Sequence, residues 1–427
     1  MLQDYSTKSV HIQDQGLFMT ELARVLSRYF GKVTVSSPWI SSFPGSEQTE
    51  IGDGFKEFER VDNIEDIKDD VDLFVFPDIY YGSVQLDLIS QGKRVWGSRA
   101  ADELEIYRDE SKEYCDSLGI PQGDWDVVDG IEALYKLASK TYEKLWIKIN
   151  KTRKDMESFS IEGMKEEGLT ALDLYENRLD DLKARLGPKA KITKFIVEKD
   201  LPGTLDLAID THSVNGQYPT IAALGTEEKG ECYVCSIKPW NEMPKGLVSI
   251  YDKLSETLRE YGYANFLSLE SRVKGQSILL GDPCKRMGSP PAELEMKMIK
   301  NLPDIFWYGA EGTLIDPVYA GKYGVQLNVH SDWANEHPLI IAYPEKVRDN
   351  LAFRYDSLFD GRTWIMPQGA GPRVAAITSF GDSIDGCMDE CSEISKQLKG
   401  IQIESFTRAF PIIKDKIKQF GEWDIKF

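Results

Sequence analysis

Histidine is scarce in this chain of 427 residues, which contains only His11, His212, His330 and His337. It has no HExxH pair, no second CxxC beside Cys232 and Cys235, and no GxSxG elbow. These absences remove the common signatures of zinc proteases, paired-CxxC zinc sites and serine hydrolases, so any chemistry must rest mainly on carboxylates, lysine, arginine and backbone. Six cysteines are too sparse for a disulfide framework, and reduced thiols in a cytosol are the simple expectation. Apolar runs are short: none approaches the roughly 18 residues of a membrane span. The opening MLQDYSTKSVHIQDQ is polar and reads as no signal peptide, so the expected location is the cytoplasm. Positive charge is also in deficit, with 51 bases against 70 acids and a formal charge of -19. Such a surface repels nucleic-acid phosphates and anionic lipid, so any basic pocket has to be local.

The composition that remains is globular, at 41% hydrophobic, 11% aromatic and 28% charged. At about 100–200 residues per domain the length suggests two to four domains. Residues 1–100 alternate strand and helix: SVHIQ, a helix through LFMTELARVLSRYF on Leu17, Leu22, Val25, Leu26 and Phe30, then KVTVSS, VDLFVFPD, SVQLDLISQG and KRVWGS. This order predicts a parallel α/β sheet, and no GxGxxG follows the first strand to suggest a dinucleotide site. AADELEIYRDESKEYCDSLGIP reads as one helix, YEKLWIKIN as a strand and 160–190 as a charged helical excursion. KITKFIVEKDL and LDLAIDTHSV are strands, the second ending in an Asn-Gly turn. VSIYDKLSETLREYG is a helix, YANFLSLESRV and QSILLGD form a strand pair, and GPRVAAITSFGDS is a strand before the helix DGCMDECSEISKQLKG.

Several residues on these elements carry chemical potential. A hairpin over 264–281 brings Glu270 beside Asp282. Two facing carboxylates repel unless a cation such as magnesium lies between them; the alternative is a pair of solvated acids at a strand edge. Arg286 sits four residues past Asp282 with Gly288 and two prolines, as an oxyanion-binding fork or as a surface arginine. Lys148 shares a strand face with Trp146 and Asn150, as an edge gatekeeper or a phosphate-binding point charge. FIVEKDLPG at 195–203 is either an ordinary strand end or a place where freed backbone groups meet an adenine edge, with Asp206 near a ribose. Cys232, Cys235, Cys387 and Cys391 offer four thiolates for zinc, although the i, i+4 pair on a helix reads better as packing.

In this order the segments resemble an ATP-grasp enzyme, and among those the phosphoribosylamine–glycine ligases. The resemblance runs from about 70 to 410 through five stretches: GKRVWGSRAADELEIYRDESKEYCDSLGIP, WIKIN, FIVEKDLPG, LGDPCKRMG and GPRVAAITSFGDSIDGCMDECSEI. It implies an α/β chain whose α+β grasp core spans 101–305, with a lid at about 125–200. An N-terminal α/β pre-ATP-grasp domain over 1–100 and a C-terminal α/β domain over 306–427 flank that core. It implies ATP and Mg2+ as cofactors, with ATP lying between lid and base. Arg108, Lys112 and Lys148 fall on phosphate-binding positions, Glu198, Lys199 and Leu201 on the adenine-contacting hinge, and Asp206 within one residue of the ribose-binding acid. Glu270 and Asp282 match the metal-holding acids, and Arg286 matches the arginine that braces the transferring group. The implied reaction is ATP-dependent carboxylate–amine ligation through an acyl phosphate. Its partners are then a small carboxylate and an amine, with no nucleic acid and no membrane, in a monomer or homodimer.

The departures from that pattern bear on substrate more than on nucleotide. Cys284 stands where the family has an asparagine metal ligand, and sulfur is a poor donor to magnesium. KTRKDMESF replaces the glycine-rich lid loop, leaving Arg153 or Lys154 to cover phosphates, and the substrate segment has shrunk to something like EKGECYVCSIKPW.

Overall fold

The computed structural model describes residues 3–14, 18–37, 51–151, 158–367 and 373–427. The described chain divides into two compact units, one of 1–102, 205–277 and 282–427, the other of 103–204 and 278–281.

The first unit opens with a sheet of five parallel strands in the order β3-β2-β1-β4-β5. They are β1 (Ser9–Gln13), β2 (Lys32–Ser36), β3 (Glu59–Arg60), β4 (Leu73–Val75) and β5 (Val95–Trp96). Central β1 is buried along Val10, His11 and Ile12, as expected of a parallel strand covered on both faces. Helix α1 (Met19–Leu26) is shorter than the expected 17–30: Leu22, Val25 and Leu26 are buried within it, Phe30 packs from the turn beyond, and Leu17 lies outside the described residues. Helix α2 (Gly82–Ser90) stops before Gly92, whose φ of 78° suits a chain leaving a helix.

In the second unit the expected single helix is two, α3 (Glu103–Ile106) and α4 (Arg108–Ser117), broken at Tyr107 with φ -94° and ψ 79°. A side chain distant in sequence explains the break. Asn150 Oδ1 accepts the Arg108 N–H at 2.8 Å, satisfying one of the donors that a helix start leaves open. Asn150 also donates to Asp109 at 2.7 Å. A four-stranded antiparallel sheet, β6-β9-β7-β8, follows, built from β6 (Trp125–Asp129), β7 (Leu145–Ile149), β8 (Ser158–Ile161) and β9 (Lys194–Lys199). Alternation puts Leu145, Ile147 and Ile149 into a core with Phe195 and Val197, under α5 (Ile131–Ala138) and α6 (Ala171–Leu186). Lys148 and Glu198 are left on the other face. The helical excursion is α6, started by a Thr170–Asp173 capping box and preceded by strand β8 rather than by more helix.

The rest of the first unit is organised on a nine-stranded sheet. Its order is β14-β13-β10-β11-β12-β15-β20-β17, with β21 also pairing β15. The first five strands in sequence are β10 (Leu205–Val214), β11 (Ile221–Glu228), β12 (Cys232–Pro239), β13 (Ala264–Lys274) and β14 (Ser277–Cys284). Then come β15 (Tyr323–Ser331), β16 (Leu339–Ile341), β17 (Leu351–Phe353), β18 (Asp356–Phe359), β19 (Arg362–Ile365), β20 (Arg373–Gly381) and β21 (Ile403–Ser405); β16, β19 and β18 form a separate small sheet. The expected Asn-Gly turn closes β10, with φ 52° at Asn215 and 74° at Gly216. The accompanying helices are α7 (Lys245–Glu260), α8 (Ala292–Met298), α9 (Leu302–Ala310), α10 (Ile384–Ser395) and α11 (Ala409–Glu422). One face of the large sheet is apolar: Val234, Val325, Leu327, Val329 and Ile377 pack with Ile394 of α10 and Ile413 of α11. Each such side chain contributes about 1.5–3 kcal/mol by leaving water.

A candidate active site on the polar face of the large sheet

The opposite face of this sheet is charged. Cross-strand register sets Asp206 against Arg272 and Asp210 against Ser268, and Glu270 falls between Ser268 and Arg272 on the same face. Glu227 and Tyr233 continue it across β11 and β12, and Gln326 opposite Tyr233 carries it onto β15. Gly225 faces the same way, and its missing Cβ leaves the room in which the Tyr233 hydroxyl meets Asp210.

Charges on this face are paired tightly. Lys229, in the turn closed by Gly230 with φ 75°, lies 2.5 Å from Glu227 and 2.7 Å from Glu270. Arg272 lies 2.8 Å from Asp206 and 3.7 Å from Glu270. Burial alone would raise the Glu270 carboxyl, but Lys229 and Arg272 outweigh it and hold the group below its ordinary value, while Asp282 pushes the other way. The two expected acids therefore do feel each other. Asp206 goes up to about 7, through burial first and Glu270 second, despite Arg272. Asp210, fully buried, rises to about 6.

Arg286, also in this unit, is buried. Its Nε lies 3.3 Å from Asp78, the acid that follows β4, and its Nη1 donates to the Met287 carbonyl at 2.8 Å. The Cys284 thiol points to the Arg286 carbonyl at 3.7 Å. Further along the polar face, buried Glu293 of α8 accepts from Arg354 at 2.7 Å, Arg373 at 2.9 Å and Gln326 at 3.0 Å.

In the second unit, Glu198 gathers two of the expected cations: its carboxylate lies 2.6 Å from Lys112 and 3.0 Å from Lys148, which is only 7% exposed. The other expected residues lie elsewhere. Arg108 donates to the Ile149 carbonyl at 2.8 Å. Lys199, next along β9, turns to the opposite side and pairs with exposed Asp124 at 2.9 Å. Leu201 packs near Gly123. Arg153 and Lys154 fall outside the described residues.

The histidines take no visible part. His11 bonds Thr34 and Ser36 at 3.0 Å each, His212 bonds the Ile315 carbonyl at 2.9 Å, and burial pushes both imidazoles down to about 4. The CxxC is split across a strand: Cys232 enters the apolar core with Cys387 and Cys391, whereas Cys235 faces a different cluster. Burial pushes all four thiols up, away from the thiolate a zinc site needs.

Sequence reasoning singled out Glu270, Asp282, Asp206 and Arg286, all of which lie in the first unit, but passed over the charged neighbours Lys229, Arg272, Glu293, Arg354 and Arg373. Period-2 alternation in LESRV was the available signal for Arg272. Lys229 and Glu293 carry none, because only tertiary folding brings them to this face.

A mixed α/β chain with this sheet order and this charged face has the ATP-grasp fold, as solved structures bear out. Phosphoribosylamine–glycine ligase from Thermotoga maritima superposes with a TM-score of 0.67 at 15% identity, covering 92% of this chain and 98% of its own. The biotin carboxylase domain of 2-oxoglutarate carboxylase from Hydrogenobacter thermophilus, solved with MgADP, ADP and bicarbonate, gives 0.66 at 11% identity over 97% and 95%. N5-carboxyaminoimidazole ribonucleotide synthetase from Thermotoga maritima gives 0.57 at 13% identity over 93% and 100%. No family model and no curated protein sequence matches the chain. Among the described residues, no helix is long and apolar enough to cross a membrane.

Proposed function

We propose that this protein is an ATP-dependent carboxylate–amine ligase of the cytoplasm, with its nucleotide-binding core within about 101–305. The carrying observation is the Glu270–Asp282 pair: two mutually repelling carboxylates on the charged face of an ATP-grasp sheet. Their oxygens suit a hard divalent cation. No group of three or more potential ligands occurs among the described residues, so the protein would supply these two donors, and nucleotide oxygens and water the rest. Bound there, magnesium would neutralise charge on the transferring phosphoryl group. Cys284 adds no hard donor, and Lys229 competes for Glu270.

The chain's own residues then have separate tasks. Lys148 and Lys112 meet phosphate oxygens as point charges, with Glu198 holding both in place. Arg286, steadied by Asp78, braces the transferring group. A substrate carboxylate oxygen attacks the γ-phosphorus and ADP leaves. An amine nitrogen then attacks the acyl carbon, phosphate departs with the C–O bond electrons, and the nitrogen loses a proton. Positioning and charge neutralisation are the main demands on the protein, in keeping with the burial of His11 and His212, which lowers both imidazoles.

ADP release against mixed pools of acids and amines, with mass analysis of any product, tests this reading. Release that needs one acid and one amine supports it, and a requirement for glycine together with phosphoribosylamine would identify a phosphoribosylamine–glycine ligase of purine synthesis. The engagement of Glu270 by Lys229 favours a second reading, a nucleotide-binding protein without turnover. Saturable ATP binding with no ADP release across the panel would select it.

Lys148→Ala is expected to weaken ATP binding about tenfold, the loss of one charge-assisted contact of roughly 1.5 kcal/mol. Calorimetric titration measures this directly, and an unchanged dissociation constant removes Lys148 from the nucleotide site.

A further inference from the structure

The turn between β11 and β12 sets a cation on one of the acids that the nucleotide reading gives to a metal. Lys229 Nζ lies 2.5 Å from Glu227 and 2.7 Å from Glu270, and Asp206 is the third acid it feels. Its stem is half exposed, but the two carboxylates beneath it are only 14% and 23% exposed. The backbone that carries it is held from two sides. The Gly230 carbonyl accepts from Asn328 Nδ2 at 2.9 Å and from His330 Nε2 at 2.8 Å. Lys416 donates to the Glu227 carbonyl at 2.6 Å and pairs with Glu228 at 2.8 Å. An exposed ion pair gains little when two long side chains must first be ordered, and here the fold has already fixed the turn.

Glu270 is divided between its neighbours. Lys229 takes Oε2, whereas Arg272 stands 3.7 Å from Oε1, beyond hydrogen-bond length. Oε1 is therefore the oxygen less engaged by cations. Around Glu270 the acids Asp206, Glu227, Glu270 and Asp282 stand against Lys229 and Arg272. Before any nucleotide is bound, four negative charges against two positive ones leave two, which one divalent ion balances and two would overshoot.

We propose that Lys229 is a resident cation of this site, fixed by its turn on Glu227 and Glu270, so that Glu270 and Asp282 together take one divalent ion and not two. An ammonium is a compact point charge that demands no coordination geometry, and dilution or chelation cannot remove it. Its role beside a nucleotide rests on the ligase reading, but the ion count does not.

The test counts manganese, which favours the same oxygen donors as magnesium and is visible by paramagnetic resonance. It uses the full chain with and without ADP and counts only ions that magnesium displaces. The wild type should bind one per chain in both conditions. Lys229→Met unpairs Glu227 and Glu270 and should bind two, with a melting temperature that falls in plain buffer and recovers with manganese. Lys229→Arg keeps the charge and should stay at one, and Asp282→Asn should lose the wild-type ion. If Lys229→Met fails to fold, Lys229→Gln, which keeps a donor for either carboxylate, carries the same count. Two ions or none on the wild type, one on the uncharged Lys229 variants, or an unchanged count in Asp282→Asn overturns the proposal. ADP titration of the same proteins is a separate readout: the expected ion counts without any ADP binding would sink the ligase reading and leave the role of Lys229 standing.

Discussion

Asp282→Asn should lower magnesium-dependent ADP release on the order of 100-fold or more, the scale seen when a preorganised electrostatic group is lost from a reacting centre. The substitution keeps the size of the side chain and removes its charge. It also relieves the repulsion that Asp282 exerts on Glu270, so the folded protein should not suffer. Steady-state ADP release with circular dichroism of the same sample measures both halves. Activity within a few-fold of wild type, with the fold intact, would mean that Asp282 does not hold the cation. The cleaner test falls on this acid because Glu270 has Lys229 at 2.7 Å and Arg272 at 3.7 Å, so that replacing Glu270 would also unpair those two cations.

The second large effect concerns stability. Glu293 is 1% exposed and is the shared partner of buried Arg354 and largely buried Arg373. Glu293→Ala should destabilise the protein by about 3–5 kcal/mol, because removing one member of a buried ionic cluster leaves the others unpaired. Burial would raise this carboxyl, but Arg354 and Arg373 bring it down to about 2. An unfolded glutamate takes up its proton near 4.3. The contribution is therefore complete above about pH 4.3 and is lost as pH falls from there toward about 2. Urea unfolding at pH 7 and along that acid limb checks the magnitude and the sign. A loss under 1 kcal/mol, or an acid limb identical in Glu293→Ala, would contradict it.

How much of this could be read from the chain differs from element to element. Four of the five strands of the first hundred residues were legible, most plainly Leu73–Val75, buried within the apolar run VDLFVFPD; β3, two polar residues long, carries no such signal. LDLAIDTHSV was legible for the opposite reason, since alternating apolar and acidic residues mark a strand with one charged face. The pairing of Glu270 with Asp282 followed from hairpin spacing. Helix continuity through Tyr107 was misread because the break depends on Asn150, some forty positions away, capping Arg108. The cationic half of the charged face was the least visible part. Lys229 reaches Glu270 from a turn, and Arg354, just past β17, and Arg373, at the start of β20, reach Glu293. Such contacts leave no periodic trace, because their spacing is set by cross-strand register rather than by the local chain.

Titration of the wild-type chain with ATP, with and without magnesium, bears most directly on the central claim. Saturable binding of one nucleotide per chain, tightened by magnesium in the wild type but not in Asp282→Asn, is the predicted result. Binding that ignores magnesium, or no binding at all, would contradict it.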